Sequence, residues 1–173
     1  PILQFQLKDD KVNQILVGHG MDLSVLPPGR TIPFLVSSVM ILVTTALYFL
    51  IVLLILFINR LKNTKKQIAP EAKRFNCYHF ILVLLGTSTV LNNIIVSAKM
   101  LTNHFRTFSE VKPHILLNYP LLAGTVIVAI LSFNFMRKAA VSRKSKSMFF
   151  VTVFLLVALF SLLFGWNYFA VVG

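Results

Sequence analysis

Four long uncharged runs, separated by short connectors, dominate the pattern of apolar and polar positions along the chain. They cover residues 31–59, 75–98, 115–136 and 147–173. A helix needs about 20 apolar residues to cross the hydrocarbon core of a bilayer, so each run is long enough to span it. The pattern predicts an all-α membrane protein, a four-helix transmembrane bundle. We expect its helices near residues 32–60, 75–101, 114–137 and 146–169.

The first 30 residues follow a different pattern. Residues 3–7 alternate between apolar and polar side chains, which is the period of a half-buried strand. A charged turn at residues 8–11 leads to a second β-prone segment at residues 12–17. These features predict a short extracytoplasmic β-hairpin ahead of the bundle.

An isolated hairpin is only marginally stable in water. The chain also starts at Pro1, with no signal peptide before the first apolar run. We therefore expect residues 1–30 to be a hairpin and linker at the end of an upstream extracytoplasmic domain. Residues 31–173 are then the four-helix transmembrane domain.

The basic residues of the connectors predict how the bundle is oriented. Eleven lysines and arginines lie in the first and third connectors, against three in the second. Loops rich in lysine and arginine stay in the cytoplasm. We therefore predict a multi-pass protein of the plasma membrane with both termini extracytoplasmic. The second connector, residues 99–114, would also face outward.

Composition narrows the set of partners. The hydrophobic fraction is 57%, and charged residues make up only 13% of the chain. A net charge of +12 would suggest nucleic acid in a soluble protein. Here the positive charges cluster at helix ends, which fits orientation and anionic headgroups better. The sequence predicts the lipid bilayer as a partner and no nucleic acid, and it leaves the oligomeric state open.

The histidines and the lone cysteine do not form a pattern that predicts a cofactor or a metal site. Haem in a membrane bundle needs two axial histidines at one depth. His79 is expected near one end of its span and both His104 and His114 near the other, about a bilayer thickness away. Cys77 is the only cysteine, so neither a disulfide within the chain nor a cysteine-built zinc or iron–sulfur site is available.

Candidate catalytic groups are also sparse. Ser109 and Lys112 match the S-x-x-K spacing of penicillin-interacting enzymes. Pro113 follows at once in a short polar connector, so we interpret this match as coincidence. We expect no catalytic residue in this chain.

Asparagines fall inside two of the apolar runs. Asn92 and Asn93 lie in the second run, and Asn118 and Asn134 lie in the third. Amides in lipid either hydrogen-bond between helices or mark a transport path. Packing is the leading interpretation, and a polar path through Asn92, Asn93 and Asn134 is the alternative.

The order of these features resembles a known family. A strand pair containing Asp9-Asp10-Lys11-Val12 precedes a proline-containing linker and four spans, and the last span ends in Trp166-Asn167. This arrangement is similar to the C-terminal transmembrane region of β-lactamase-related (penicillin-binding-protein-like) serine hydrolases. In that family an extracytoplasmic hydrolase domain precedes a small β segment and several membrane helices.

The resemblance implies a non-catalytic membrane-anchoring domain of a serine hydrolase of the β-lactamase/penicillin-binding type. The catalytic motifs of the family belong to the upstream domain, so this segment would carry no catalytic residue and its partner would be that domain of the same chain. The alternative function is an independent small transporter, channel or redox membrane subunit. That alternative requires a polar path or a cofactor in the bundle.

One loop is a candidate contact surface. The second connector carries the residues that we expect to touch a lipid or the hydrolase domain: His104, Phe105, Arg106 and Phe108. Arg106 is suited to an anionic headgroup or phosphate, and a solvated loop arginine is the alternative.

Overall fold

Four long helices form most of the protein. The computed structural model describes residues 3–8, 11–17, 21–24, 31–62, 70–102, 108–138 and 141–169. The helices are α1 (Ile32–Lys62), α2 (Pro70–Thr102), α3 (Phe108–Lys138) and α4 (Arg143–Gly165). All four are long and apolar enough to cross a membrane, so the prediction of an all-α membrane bundle is confirmed at this level. The chain divides into two compact units, residues 1–39 and residues 40–173.

The N-terminal unit contains three short strands, β1 (Leu3–Lys8), β2 (Lys11–Val17) and β3 (Met21–Ser24). They pair antiparallel in the order β1-β2-β3, and the register shifts between Gln6 and Leu7. The sequence pattern did not predict β3, because four residues are too short to show a clear period. The extracytoplasmic hairpin as a separate element stays a prediction.

Helix α2 begins earlier than predicted, at Pro70 instead of near residue 75. Proline suits the first position of a helix, because the N–H that it lacks would have no partner there. Glu71 in the first turn adds a favourable interaction with the helix dipole.

Helix α3 also begins earlier than predicted, at Phe108 instead of near residue 114. Pro113 and Pro120 therefore lie inside the helix and do not flank its start. Each proline removes one backbone hydrogen bond, which membrane helices tolerate. The second connector, predicted at residues 99–114, is therefore helical up to Thr102 and again from Phe108.

Helix α4 ends at Gly165, although the sequence pattern predicts an end near residue 169. Asn167 adopts the left-handed conformation with φ 59°. The Tyr168 N–H donates to Leu163 O at 2.9 Å, and the Asn167 N–H donates to Phe164 O at 3.0 Å. These two bonds form a Schellman motif, which ends the helix and reverses the chain toward the bundle.

The core of the second unit is built around α2, whose backbone comes closest to that of α3. Phe75, Leu82 and Leu159 are fully buried in a cluster that extends over the helices. Helix α1 is the least buried of the four and enters this core through Phe49 and Val52. The Phe49 ring lies over Gly86 of α2, where a Cβ atom would come within 2.6 Å of it.

Candidate functional site

Three buried asparagines form a polar cluster inside the bundle. Asn92 and Asn93 come from α2 and Asn118 comes from α3. Together with His114 of α3 and Tyr168 after α4, they make up what we call the amide cluster. Leu91 and Ile94, on either side of the α2 pair, are exposed apolar residues, so the amides lie on the inward face of α2.

Backbone carbonyls fix the orientation of each amide, because a carbonyl can only accept a hydrogen bond. Asn92 Nδ2 donates to His114 O at 2.9 Å. Asn93 Nδ2 donates to Thr89 O at 2.8 Å, and Asn118 Nδ2 donates to Tyr168 O at 3.1 Å.

The amides then complete each other's hydrogen bonds. Asn118 Oδ1 accepts from Asn92 Nδ2 and from Asn93 Nδ2, both at 3.0 Å. Asn118 Nδ2 also donates to Asn93 Oδ1 at 3.2 Å. Asn118 is therefore the junction of the cluster. Interhelical amide bonds of this kind stabilise helix association in lipid.

The amide orientations determine the state of His114. Asn92 Oδ1 faces His114 Nδ1 at 2.8 Å, so Nδ1 carries the proton and donates. The Lys99 ammonium approaches Nε2 at 2.9 Å and has only protons to offer, so Nε2 accepts. His114 thus donates from Nδ1 to an amide and accepts at Nε2 from a lysine.

The chain that follows α4 is attached to the same end of the bundle. Ser97 Oγ donates to Asn93 O at 2.9 Å, so the Tyr168 hydroxyl, 2.9 Å from Ser97 Oγ, is the donor in that pair. The Tyr119 hydroxyl donates to Phe169 O at 2.6 Å. These bonds join the turn after α4 to both α2 and α3.

A second polar group, which we call the His79 cluster, joins three helices: Tyr48 of α1, His79 of α2 and Thr152 of α4. Thr152 Oγ1 lies 2.9 Å from the Tyr48 hydroxyl and 3.1 Å from His79 Nε2. The hydroxyls of Tyr48 and Thr152 both donate to Met148 O, at 2.9 Å and 2.8 Å.

Aromatic rings surround the buried imidazole of His79. Phe75 and Phe149 lie with their ring centroids 5.8 Å from that of His79, and they contact each other edge to face at 5.9 Å. The cluster thus links α1, α2 and α4 within an aromatic surrounding.

Neither cluster has the composition of a catalytic or metal centre. No group of three or more histidine, cysteine, aspartate or glutamate residues comes together within the described part of the chain. Ser109 and Lys112 are both exposed in the first turns of α3. A groove of about 230 Å³ between α3 and α4 is lined by apolar side chains, with Thr125 and Ser161 as its hydroxyl groups.

Most of the residues that the sequence predicts to contact a lipid or the hydrolase domain lie outside the part of the chain that the structure describes. His104, Phe105 and Arg106 lie outside the described residues. Phe108 is the first residue of α3, and its side chain also lies outside the described part. The contact predicted for these residues stays a prediction.

The structure brings together two of the three asparagines of the predicted polar path. Asn92 and Asn93 meet Asn118, whereas Asn134 is exposed on α3. Sequence reasoning also missed the partners of His79 and His114. One available signal was the spacing of Asn92 and Lys99, seven residues apart on α2, which places both on one helix face.

The four helices make this chain a multi-pass membrane protein. Comparison with known proteins found no matching family model, no matching curated protein and no matching solved structure.

Proposed function

We propose that residues 31–173 are a non-catalytic membrane anchor for a serine hydrolase domain of the β-lactamase/penicillin-binding type. One observation carries the anchor role: the buried amides of the bundle are hydrogen-bonded to each other and to backbone carbonyls. A bundle whose polar interior serves helix association is suited to remaining in the membrane as one stable unit.

The same observation supports an anchor over a transporter. A transport path needs polar groups that can exchange partners with a moving solute. Asn118 instead makes four hydrogen bonds with its two amide partners and Tyr168 O. Opening a path would break that network at several points in a medium without competing water.

The hydrolase half of the proposal rests on the resemblance and on the N-terminal strands. In the described strands, β2 is central and β1 and β3 are the edges. A sheet edge offers unpaired backbone groups to a further strand, so this segment is suited to completing a larger domain. The positive-inside rule, applied to the basic connectors, supports an extracytoplasmic position for that domain.

Cysteine accessibility tests the orientation. Cys77 is exposed, so it should first be replaced by serine. Single cysteines at Lys65 or Lys144 should be protected from a membrane-impermeant maleimide in intact cells. Cysteines at Thr102 or Lys112 should be labelled. The reverse pattern would overturn the orientation without affecting the four-helix fold.

Covalent labelling tests the hydrolase assignment. In native membranes, the full-length polypeptide that contains this bundle should be labelled by a fluorescent penicillin on a serine N-terminal to the bundle. The present chain alone should remain unlabelled. A label at Ser109, or an unlabelled full-length polypeptide, would contradict the proposal.

Substitution of the amides separates the anchor from the transporter. The Asn92→Leu/Asn93→Leu variant should lower bundle stability and leave hydrolysis of soluble substrates by the full-length protein unchanged. Loss of a solute flux that the native protein supports in vesicles would favour the transporter instead. Asn134→Leu is the matched control, because Asn134 is an exposed amide of the same type.

A further inference from the structure

The Lys99 ammonium is a cation at one end of the bundle. Its hydrogen-bond partner in the described part of the chain is His114 Nε2, at 2.9 Å. Because His114 Nδ1 donates to Asn92 Oδ1, Nε2 is the nitrogen that accepts a hydrogen bond from the ammonium. The pair therefore carries one full positive charge and retains ammonium protons for a further acceptor.

The depth of this charge corresponds to the headgroup region of a bilayer. Lys99 is the last residue of the apolar part of α2, Pro70–Lys99. Ser97, two residues earlier, bonds to the hydroxyl of Tyr168, and Trp166 lies in the same turn after α4. Tyrosine and tryptophan prefer the membrane–water interface. The positions of Lys99, Tyr168 and Trp166 therefore all indicate that this end of the bundle lies at headgroup depth.

The position of Lys99 is fixed more firmly than that of an ordinary snorkelling lysine. Lys99 is half-buried, and His114 is held in turn by two bonds to Asn92. Lys112 on α3 is an exposed cation at the same end and serves as the reference residue. Glu110 also lies at this end and has a contact of its own.

We propose that Lys99, oriented by His114, binds the phosphate of an anionic phospholipid at this end of the bundle. Phosphate is the abundant anion at headgroup depth, and lysine binds it as a point charge. Lys99 is the binding residue, and His114 is a positioning residue. This site does not depend on the proposed hydrolase partner.

The single tryptophan of the chain gives a direct measurement. The whole chain should be reconstituted in bilayers of phosphatidylcholine with increasing phosphatidylglycerol, either lipid brominated near the top of its acyl chains. Quenching of Trp166 fluorescence then reports which lipid lies beside the turn after α4, whose Tyr168 hydroxyl bonds to Ser97 of α2. We expect the site to prefer phosphatidylglycerol over phosphatidylcholine by about fivefold, because one lysine near the membrane surface attracts an anionic headgroup about that strongly.

Variants of Lys99 and Lys112 test whether Lys99 is the residue that binds the lipid phosphate. Lys99→Met should abolish the selectivity and Lys99→Arg should retain it, while Lys112→Met should leave it nearly unchanged. Equal losses for Lys99→Met and Lys112→Met would mean diffuse surface attraction and overturn the site. Unchanged selectivity in a folded Lys99→Met protein would do the same.

A last comparison separates a lipid from a free anion. Inorganic phosphate at millimolar concentration, matched in ionic strength with chloride, should not displace phosphatidylglycerol. Displacement by inorganic phosphate alone would assign the site to a soluble anion and refute the lipid proposal. Circular dichroism and size-exclusion chromatography should show each variant folded before it is compared.

Discussion

The amide cluster and the His79 cluster connect the helices in different ways. In the amide cluster, side-chain amides bond to each other and to carbonyls of their own and neighbouring segments, so orientation and partners are fixed together. In the His79 cluster, one hydroxyl, Thr152 Oγ1, lies within hydrogen-bond distance of both the Tyr48 hydroxyl and His79 Nε2. A cluster held by several side-chain hydrogen bonds between helices should therefore contribute more to bundle stability than a cluster that depends on one hydroxyl.

The two clusters also hold different helices. The amide cluster joins α2, α3 and the turn after α4, and the His79 cluster joins α1, α2 and α4. Helix α1 is attached by Tyr48 together with the contact of Phe49 over Gly86. Loss of the His79 cluster should therefore loosen α1 first, whereas loss of the amide cluster should loosen the turn after α4.

The largest effect is expected for Asn118→Leu, which removes four hydrogen bonds at the junction of the amide cluster. Measured bonds of this kind average about 0.6 kcal/mol in a membrane protein, and stranded amides add to the cost. We expect a loss of about 3 kcal/mol in the free energy of unfolding, measured by titration with denaturing detergent. Asn134→Leu on the same helix is the control and should cost little. Equal costs for the two variants would mean that the hydrogen bonds of the amide cluster do not stabilise the bundle.

Gly86→Ala tests the attachment of α1 beside the His79 cluster. The new Cβ would lie 2.6–2.9 Å from three atoms of the buried Phe49 ring, so the ring must move. Overpacking of this kind costs about 2 kcal/mol. At Gly124 a Cβ would meet Leu85 at 3.6 Å, an ordinary contact, so Gly124→Ala should be nearly neutral.

A double variant sharpens the same prediction. Phe49→Leu shortens the side chain over Gly86 and makes room for the methyl group. The Gly86→Ala/Phe49→Leu protein should therefore be more stable than the sum of the two single losses implies. Strict additivity would mean that the ring is not the obstacle.

The smallest of the three effects is expected for Thr152→Val. It removes the hydroxyl between Tyr48 and His79 but leaves the Tyr48 bond to Met148 O. We expect a loss of about 1 kcal/mol, since one junction is lost and the volume is kept. Thr152→Ser should restore most of it. A cost for Thr152→Val above that for Asn118→Leu would reverse the ranking of the two clusters.

The apolar runs determined the number and class of the helices, because a span of this length has few alternatives in lipid. Their ends were harder to predict. The start of α3 was placed after Pro113, although membrane helices accept proline inside. The end of α4 was placed beyond Asn167, whose left-handed conformation stops the helix sooner.

The sequence by itself also established that polar residues lie within the spans and that basic residues cluster in two connectors. Only the tertiary structure decided which polar residues meet. Asn118 and Asn134 look equivalent along α3, yet one is buried against Asn92 and the other is exposed. The physical reason is that a hydrogen bond between helices depends on how each helix is rotated about its axis and on its depth. Those quantities are set by the packing of all four helices together, and no local pattern encodes them.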